Sequence, residues 1–281
     1  MPVRSSFRSR GIIPCAVAAV LFLLAATAAS AGDLQEQIKK RGKLIVAQVG
    51  AEQPPFFWKK QMNGGEEWVG YEVDLAKLIA RRLGVELEIL RLGDDYNEVC
   101  KVVNEGKADI GISNLSDNEA RRKLVDFTKP YIVSRVAMFI DLEALEKDGI
   151  DAIEPADLNR PDVNAALTKE SAYDFVYDEI MPKATRVDTP IGTFDDIASA
   201  VLEGRAHLVI DDGFTLFLGM DSHPEYSPRY HLHIFDEYDD PLSMCLPHDQ
   251  PEMREFLNGI IDEIENQEPV TLELIVDRYM K

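Results

Sequence analysis

From Gly42 onward the chain alternates short continuous apolar runs with longer amphipathic stretches, and this alternation constrains the fold more than any other feature. Leu44-Ile45-Val46-Ala47 is apolar at every position, as suits a strand buried on both faces. Val73 to Leu83 instead places Leu75, Leu78, Ile79 and Leu83 on one side and stops at Gly84, which reads as an amphipathic helix ended by glycine. Val85 to Leu90 is the next strand. Tyr96, Val99, Cys100 and Val103 then recur at helical spacing up to Gly106, and Ala108 to Ile112 is strand-like again. Strand, helix, strand, helix, strand predicts a mostly parallel sheet covered by helices.

A second series follows the apolar run Val136-Ala137-Met138-Phe139-Ile140, which suits a buried strand linking two bodies. It comprises a strand near Val163 to Leu167, helices from about Ser171 and over Phe194 to Leu202, a strand at Leu208 to Ile210 and a short helix beyond Gly213. Leu242 to Leu246 reads as a return strand before helices at Glu252 to Glu265 and Val270 to Tyr279. The order predicts two α/β lobes joined by two crossings, with residues 32–135 and 242–281 in lobe 1 and residues 136–241 in lobe 2.

The first residues have another character. Arg4, Arg8 and Arg10 precede an apolar run from Ile12 to Ala28 and the small residues Ala29-Ser30-Ala31, the pattern of a secretory signal peptide over residues 1–31. About 250 residues remain after it, enough for one large or two modest α/β domains. The chain has 50 acidic and 30 basic residues, and removal of the three arginines makes the remainder more acidic still. Nucleic acid and anionic membrane surfaces are poor partners for such a body. Export permits disulfides, so Cys100 and Cys245 have two readings, a bridge or two buried free thiols.

Several segments carry a family resemblance. Gly42-Lys43-Leu44-Ile45-Val46-Ala47, Pro54-Pro55-Phe56 and Val69-Gly70-Tyr71-Glu72-Val73-Asp74-Leu75-Ala76 resemble the opening of the bacterial extracellular solute-binding proteins of family three, the polar amino-acid binders. The likeness continues through Gly106 to Ile110, Arg121 to Tyr131 and Gly204 to Asp212, and reaches the terminal helices. It implies a type II periplasmic-binding-protein fold, two α/β lobes joined by two hinge strands with the ligand between them. It also implies a periplasmic monomer without cofactor, which binds a small polar metabolite, most readily an amino acid, and passes it to the membrane permease of an ABC importer.

The chemistry of such a ligand agrees with the positions that the resemblance singles out. A buried amino acid needs partners for a carboxylate and an ammonium. Arg121 matches the family's carboxylate-binding arginine, whose guanidinium offers two parallel hydrogen bonds that lysine cannot reproduce. Asp212 matches the acid that takes the ammonium, and it also reads as a cap for the helix after Gly213. Ser116 and Asn114, at the carboxyl end of the strand Ala108 to Ile112, match ligand contacts, with capping of a helix over Asn118 to Lys123 as the competing role. Tyr96 matches a stacking aromatic but also has core spacing, and Ser171 can point its hydroxyl at a carboxylate.

Three departures bear on the ligand. Gln53 replaces an aromatic wall. Gly50 stands where binders of basic amino acids often carry an acid, which speaks against such ligands, although Glu52 is close by. Glu170 replaces the glycine of a Gly-Ser-Ala-Tyr-Asp turn, and it either enters the cleft and tunes ligand choice or faces outward. If buried with a raised pKa, Glu170 suits a general acid, so a cyclohexadienyl-dehydratase-like enzyme is the rival function, beside a periplasmic ligand sensor. His231 and His233 share one side of a strand but lack a third metal ligand at a persuasive spacing, and Asp236 to Asp240 reads as a solvated connection.

Overall fold

Helix α1 (Leu34–Arg41) ends at Gly42, whose φ of 75° lets its N–H return to the Ile38 and Lys39 carbonyls and turns the chain into strand β1 (Lys43–Gln48). The computed structural model describes residues 33–62, 64–168 and 171–280; the signal segment and Glu170 lie outside them. A hairpin of β2 (Trp58–Met62) and β3 (Gly65–Val69) leads to α2 (Tyr71–Leu83), which buries Val73, Leu75, Ala76, Ile79 and Leu83. After β4 (Glu86–Arg91), α3 (Tyr96–Asn104), β5 (Ile110–Gly111) and β6 (Asp126–Phe127), the chain enters β7 (Ile132–Asp141).

The second half continues with α4 (Leu142–Lys147), α5 (Pro155–Leu158), β8 (Asn164–Thr168), α6 (Asp174–Ile180) and β9 (Thr185–Thr189). Next come α7 (Phe194–Ile197), α8 (Ser199–Leu202), β10 (Leu208–Asp212), α9 (Gly213–Ser222) and β11 (Tyr230–Leu242). The chain then returns through β12 (Cys245–Leu246) to α10 (Pro251–Gln267) and α11 (Leu272–Tyr279).

Two five-stranded sheets organise two lobes. The first has the order β4-β1-β5-β12-β6, parallel among β4, β1 and β5 and antiparallel where β12 enters. The second has the order β11-β7-β10-β8-β9, with β10, β8 and β9 parallel. Strands β7 and β11 run antiparallel to each other and carry the chain between the lobes.

The structure redraws three sequence readings. The stretch 242–246 is not one strand, because β11 runs through Leu242 and β12 holds only two residues. The helix over 194–202 is two short turns, α7 capped by a Thr193 and Asp196 box, then α8. The acidic run 236–240 belongs to β11 at a register shift between Ile234 and Asp239; strand pairing resumes with Asp239 opposite Arg135, and Asp240, next in register opposite Ser134, is buried. Cys100 and Cys245 are both buried and free.

Candidate ligand-binding site

Loops beyond β1 and β5 supply the lobe-1 wall. Asn114 adopts φ 49°, a left-handed conformation that asparagine tolerates, with its N–H donating to Glu72 Oε1 at 2.7 Å and its Nδ2 to Gln53 Oε1 at 3.2 Å. Arg121 stands on a single 3-10 turn whose first N–H is received by Asn118 Oδ1 at 2.9 Å. Although charged, it is only 3% exposed. Its Nε donates to Asn97 Oδ1 at 3.2 Å and its Nη1 to the Ser116 carbonyl at 3.0 Å, and the guanidinium lies over the Tyr96 ring, 5.7 Å from the centroid. Tyr96 starts α3, packs against the lobe-1 core, as its spacing predicts, and hydrogen-bonds Gln53.

The carboxyl ends of β8 and β10 supply the facing wall. Asp212 caps α9, accepting from Thr215 N and Oγ1, both at 2.9 Å, and from the Ser134 hydroxyl on β7. Asp211 accepts from Thr168 Oγ1 at 2.6 Å and from the Asp212 N–H at 2.8 Å. Asp240, on β11, accepts from Tyr173 Oη at 2.7 Å and from the Ser116 hydroxyl, so it touches both walls. The walls also meet where Gln53 Nε2 donates to Gly192 O at 3.5 Å and where Phe56 packs edge-on against Phe214 at 5.9 Å.

Burial sets the electrostatics of this interior. It is the largest influence on Asp211 and Asp240, pushing them up to about 7 and about 6 against the opposing effect of their hydroxyl partners, and the neighbouring acids add to the rise. Burial also raises the Tyr96 and Tyr173 phenols. Asp211, Arg121 and Asp212 all bear on the Tyr96 phenol, and Asp212 and Arg121 on the Asp240 carboxyl, so charges of the two walls act on the same buried groups.

Of the residues that the sequence singles out, Arg121, Asp212, Ser116, Tyr96, Asn114 and Gln53 come together here. Ser171 lies at the rim, lining a cavity of about 670 Å³ with Asn97, Glu119 and Lys123 from the other wall, and its hydroxyl accepts from the Tyr173 N–H at 3.3 Å. A separate cavity of about 620 Å³ adjoins Ser134, Phe214, Phe217 and Val276; it is largely apolar, and of the hydrogen-bonded groups described above it takes in Ser134 alone. Among the described residues no three His, Cys, Asp or Glu side chains converge as a metal site. Sequence reasoning missed Asp240, Asp211, Thr168, Ser134 and Asn97. Position at a strand's carboxyl end was a usable signal for Thr168 and Asp211.

Residues 45–281 match the bacterial extracellular solute-binding proteins, family 3. The chain belongs to that family. A relative is the probable ABC transporter extracellular-binding protein YckB of Bacillus subtilis, 26% identical over 71% of this chain and 66% of its own length. The arginine-binding extracellular protein ArtP of the same organism is 28% identical over 41% of each chain. The matched stretches thus span less than two thirds of these relatives. Among solved structures, the amino-acid ABC transporter substrate-binding protein AbpA of Streptococcus pneumoniae, bound to L-arginine, superposes with a TM-score of 0.71 at 24% identity, covering 87% of this chain and 97% of its own. The ancestral amino-acid-binding protein AncCDT-1, a precursor of cyclohexadienyl dehydratase, gives 0.68 at 24% identity, covering 88% and 99%. At that identity the likeness establishes the type II periplasmic-binding-protein fold.

Proposed function

We propose that this family member is the solute-binding component of an ABC importer and closes two lobes around an amino acid. The supporting observation is the opposition of a buried guanidinium, Arg121, and a buried carboxylate, Asp212, from different walls of one interior. Arg121 holds the ligand carboxylate and Asp212 its ammonium. Ser116, Asn114, Gln53 and Tyr96 complete the first wall, Ser171 stands at the rim, and Glu170 tunes ligand choice. Lobe 1 comprises residues 32–135 and 242–281, lobe 2 residues 136–241. Residues 1–31 direct the chain to the periplasm, where it works as a monomer and meets the importer's permease.

A thermal-shift screen of refolded, ligand-stripped mature protein against amino acids, amines and small carboxylates tests the reading. A ligand at a hundred times its dissociation constant adds about 2.7 kcal/mol of stability, well within detection. A screen in which no amino acid stabilises the protein overturns the proposal, and turnover of prephenate or arogenate would favour the enzymatic rival.

A further inference from the structure

Two poles suffice for a zwitterion, yet the interior holds more acid than that. Asp211, Asp212 and Asp240 are 5%, 2% and 4% exposed, and among the described residues Arg121 is the only buried cation near them. A zwitterion adds one charge of each sign and leaves the excess of carboxylates unchanged. Excess buried charge of one sign is costly unless a counter-charge enters with it. The partners described for the three acids are neutral: the hydroxyls of Thr168, Ser134, Thr215, Tyr173 and Ser116 and two backbone N–H groups.

Two further atoms point the same way. Thr189 is 3% exposed and its Oγ1 has no hydrogen-bond partner; it stands beside Thr168 in the parallel register of β9 and β8, in the row that leads to Asp211. On the opposite wall Asn114 Oδ1 is buried without a donor, although Nδ2 of the same amide is bound to Gln53. Carboxylates and an unserved carbonyl oxygen together call for a ligand rich in N–H groups.

We infer that the ligand is an α-amino acid whose side chain carries a second cation, an amine or a guanidinium, and that Asp240 on the hinge strand β11, assisted by Asp211, receives that cation. This rests on the amino-acid reading of the site given above. Asp240 has the required position, since Tyr173 of one wall and Ser116 of the other hold its carboxylate between them. The absence of an acid at Gly50 therefore does not argue against a basic ligand, because the acids come from the other lobe and the hinge. The acidities agree: burial first, and then the neighbouring Asp212, raise Asp240 and Asp211 to about 6 and about 7, so a cation brought beside them relieves the cost of their ionisation.

Calorimetry at pH 7.5 on the ligand-stripped mature protein, with L-arginine and L-lysine against their neutral counterparts L-citrulline and L-norleucine, tests the inference. At least one basic ligand should bind about thirtyfold or more tightly than its neutral counterpart, the worth of a charge-assisted hydrogen bond. Asp240→Asn keeps an oxygen for Tyr173 and should remove most of that margin while leaving the affinity for the neutral ligand within about threefold. Neutral ligands that bind as tightly as basic ones to the unaltered protein overturn the inference and leave the amino-acid reading standing. Equal losses for basic and neutral ligands in Asp240→Asn reduce Asp240 to a structural link and overturn its assigned role. Failure of every amino acid to bind overturns the underlying reading itself.

Discussion

Asn97 and the Ser116 carbonyl take two of the five N–H groups of Arg121 and so fix the plane of its guanidinium. In the proposed function an incoming carboxylate meets an oriented donor rather than a flexible one, and Arg121→Ala should weaken amino-acid binding at least about a hundredfold, or roughly 2.7 kcal/mol, by calorimetry. Asp212→Asn should preserve the α9 cap, because asparagine caps as well as aspartate, yet weaken an aminated ligand far more than its deaminated analogue. Equal losses for both ligands would remove Asp212 from the ammonium. Glu72 makes a prediction of another kind. It is fully buried, accepts from Tyr131, from the Asn114 N–H and from Gln48, and burial pushes it up to about 7 from about 4.5. Folding therefore takes up a proton in that interval, so this group's contribution falls as pH rises from about 4.5 to about 7 and stays low above it. Glu72→Gln should melt higher than the unaltered protein at pH 8, by on the order of 1–3 kcal/mol, and about level with it at pH 5. An unchanged difference between the two pH values would assign the effect to other acids. Arg121 and Asp212 were legible as candidates because motif position and ligand chemistry agree on them, and both are buried. Asp240 was not, since an acidic run reads as a solvated face until a register shift inside β11 turns its last member inward.

Elements were legible where periodicity was long. The strand β1 and the helices α2 and α10 follow directly from their apolar patterns, whereas the break between α7 and α8 depends on a capping box at Thr193 and a second start within five residues. The hairpin of β2 and β3 escaped notice because its exposed strands carry little apolar alternation. Gly70 ties that hairpin to α2. Its φ is 127°, and a Cβ there would stand 2.3 Å from the Phe56 carbonyl oxygen, which also receives the Glu72 N–H at 3.0 Å. Gly70→Ala combines backbone strain with a clash against backbone and should cost more than about 2 kcal/mol in urea denaturation, well above an ordinary surface change. A loss below 0.5 kcal/mol, roughly the surface range, would show that this junction yields easily.

At the scale of the whole molecule, β7 and β11 are both the link between the lobes and part of the second sheet, and they carry Ser134 and Asp240 into the site. In the proposed function ligand contacts come from both walls and favour the closed arrangement, so small-angle scattering should give a smaller radius of gyration with a saturating ligand than without one. Arg121→Ala should not contract under the same ligand concentration, and an identical radius for the unaltered protein in both states would remove hinge closure. The lobes also differ in when their parts come into being. Strand β12 lies between β5 and β6 although some 118 residues separate it from β6 along the chain. As the polypeptide emerges from the ribosome or the secretion channel, the second sheet has all its strands once Leu242 has appeared, whereas the first still has a gap between β5 and β6. The later-synthesised segment therefore completes the earlier one, and the wall bearing Arg121 is finished after the wall bearing Asp212.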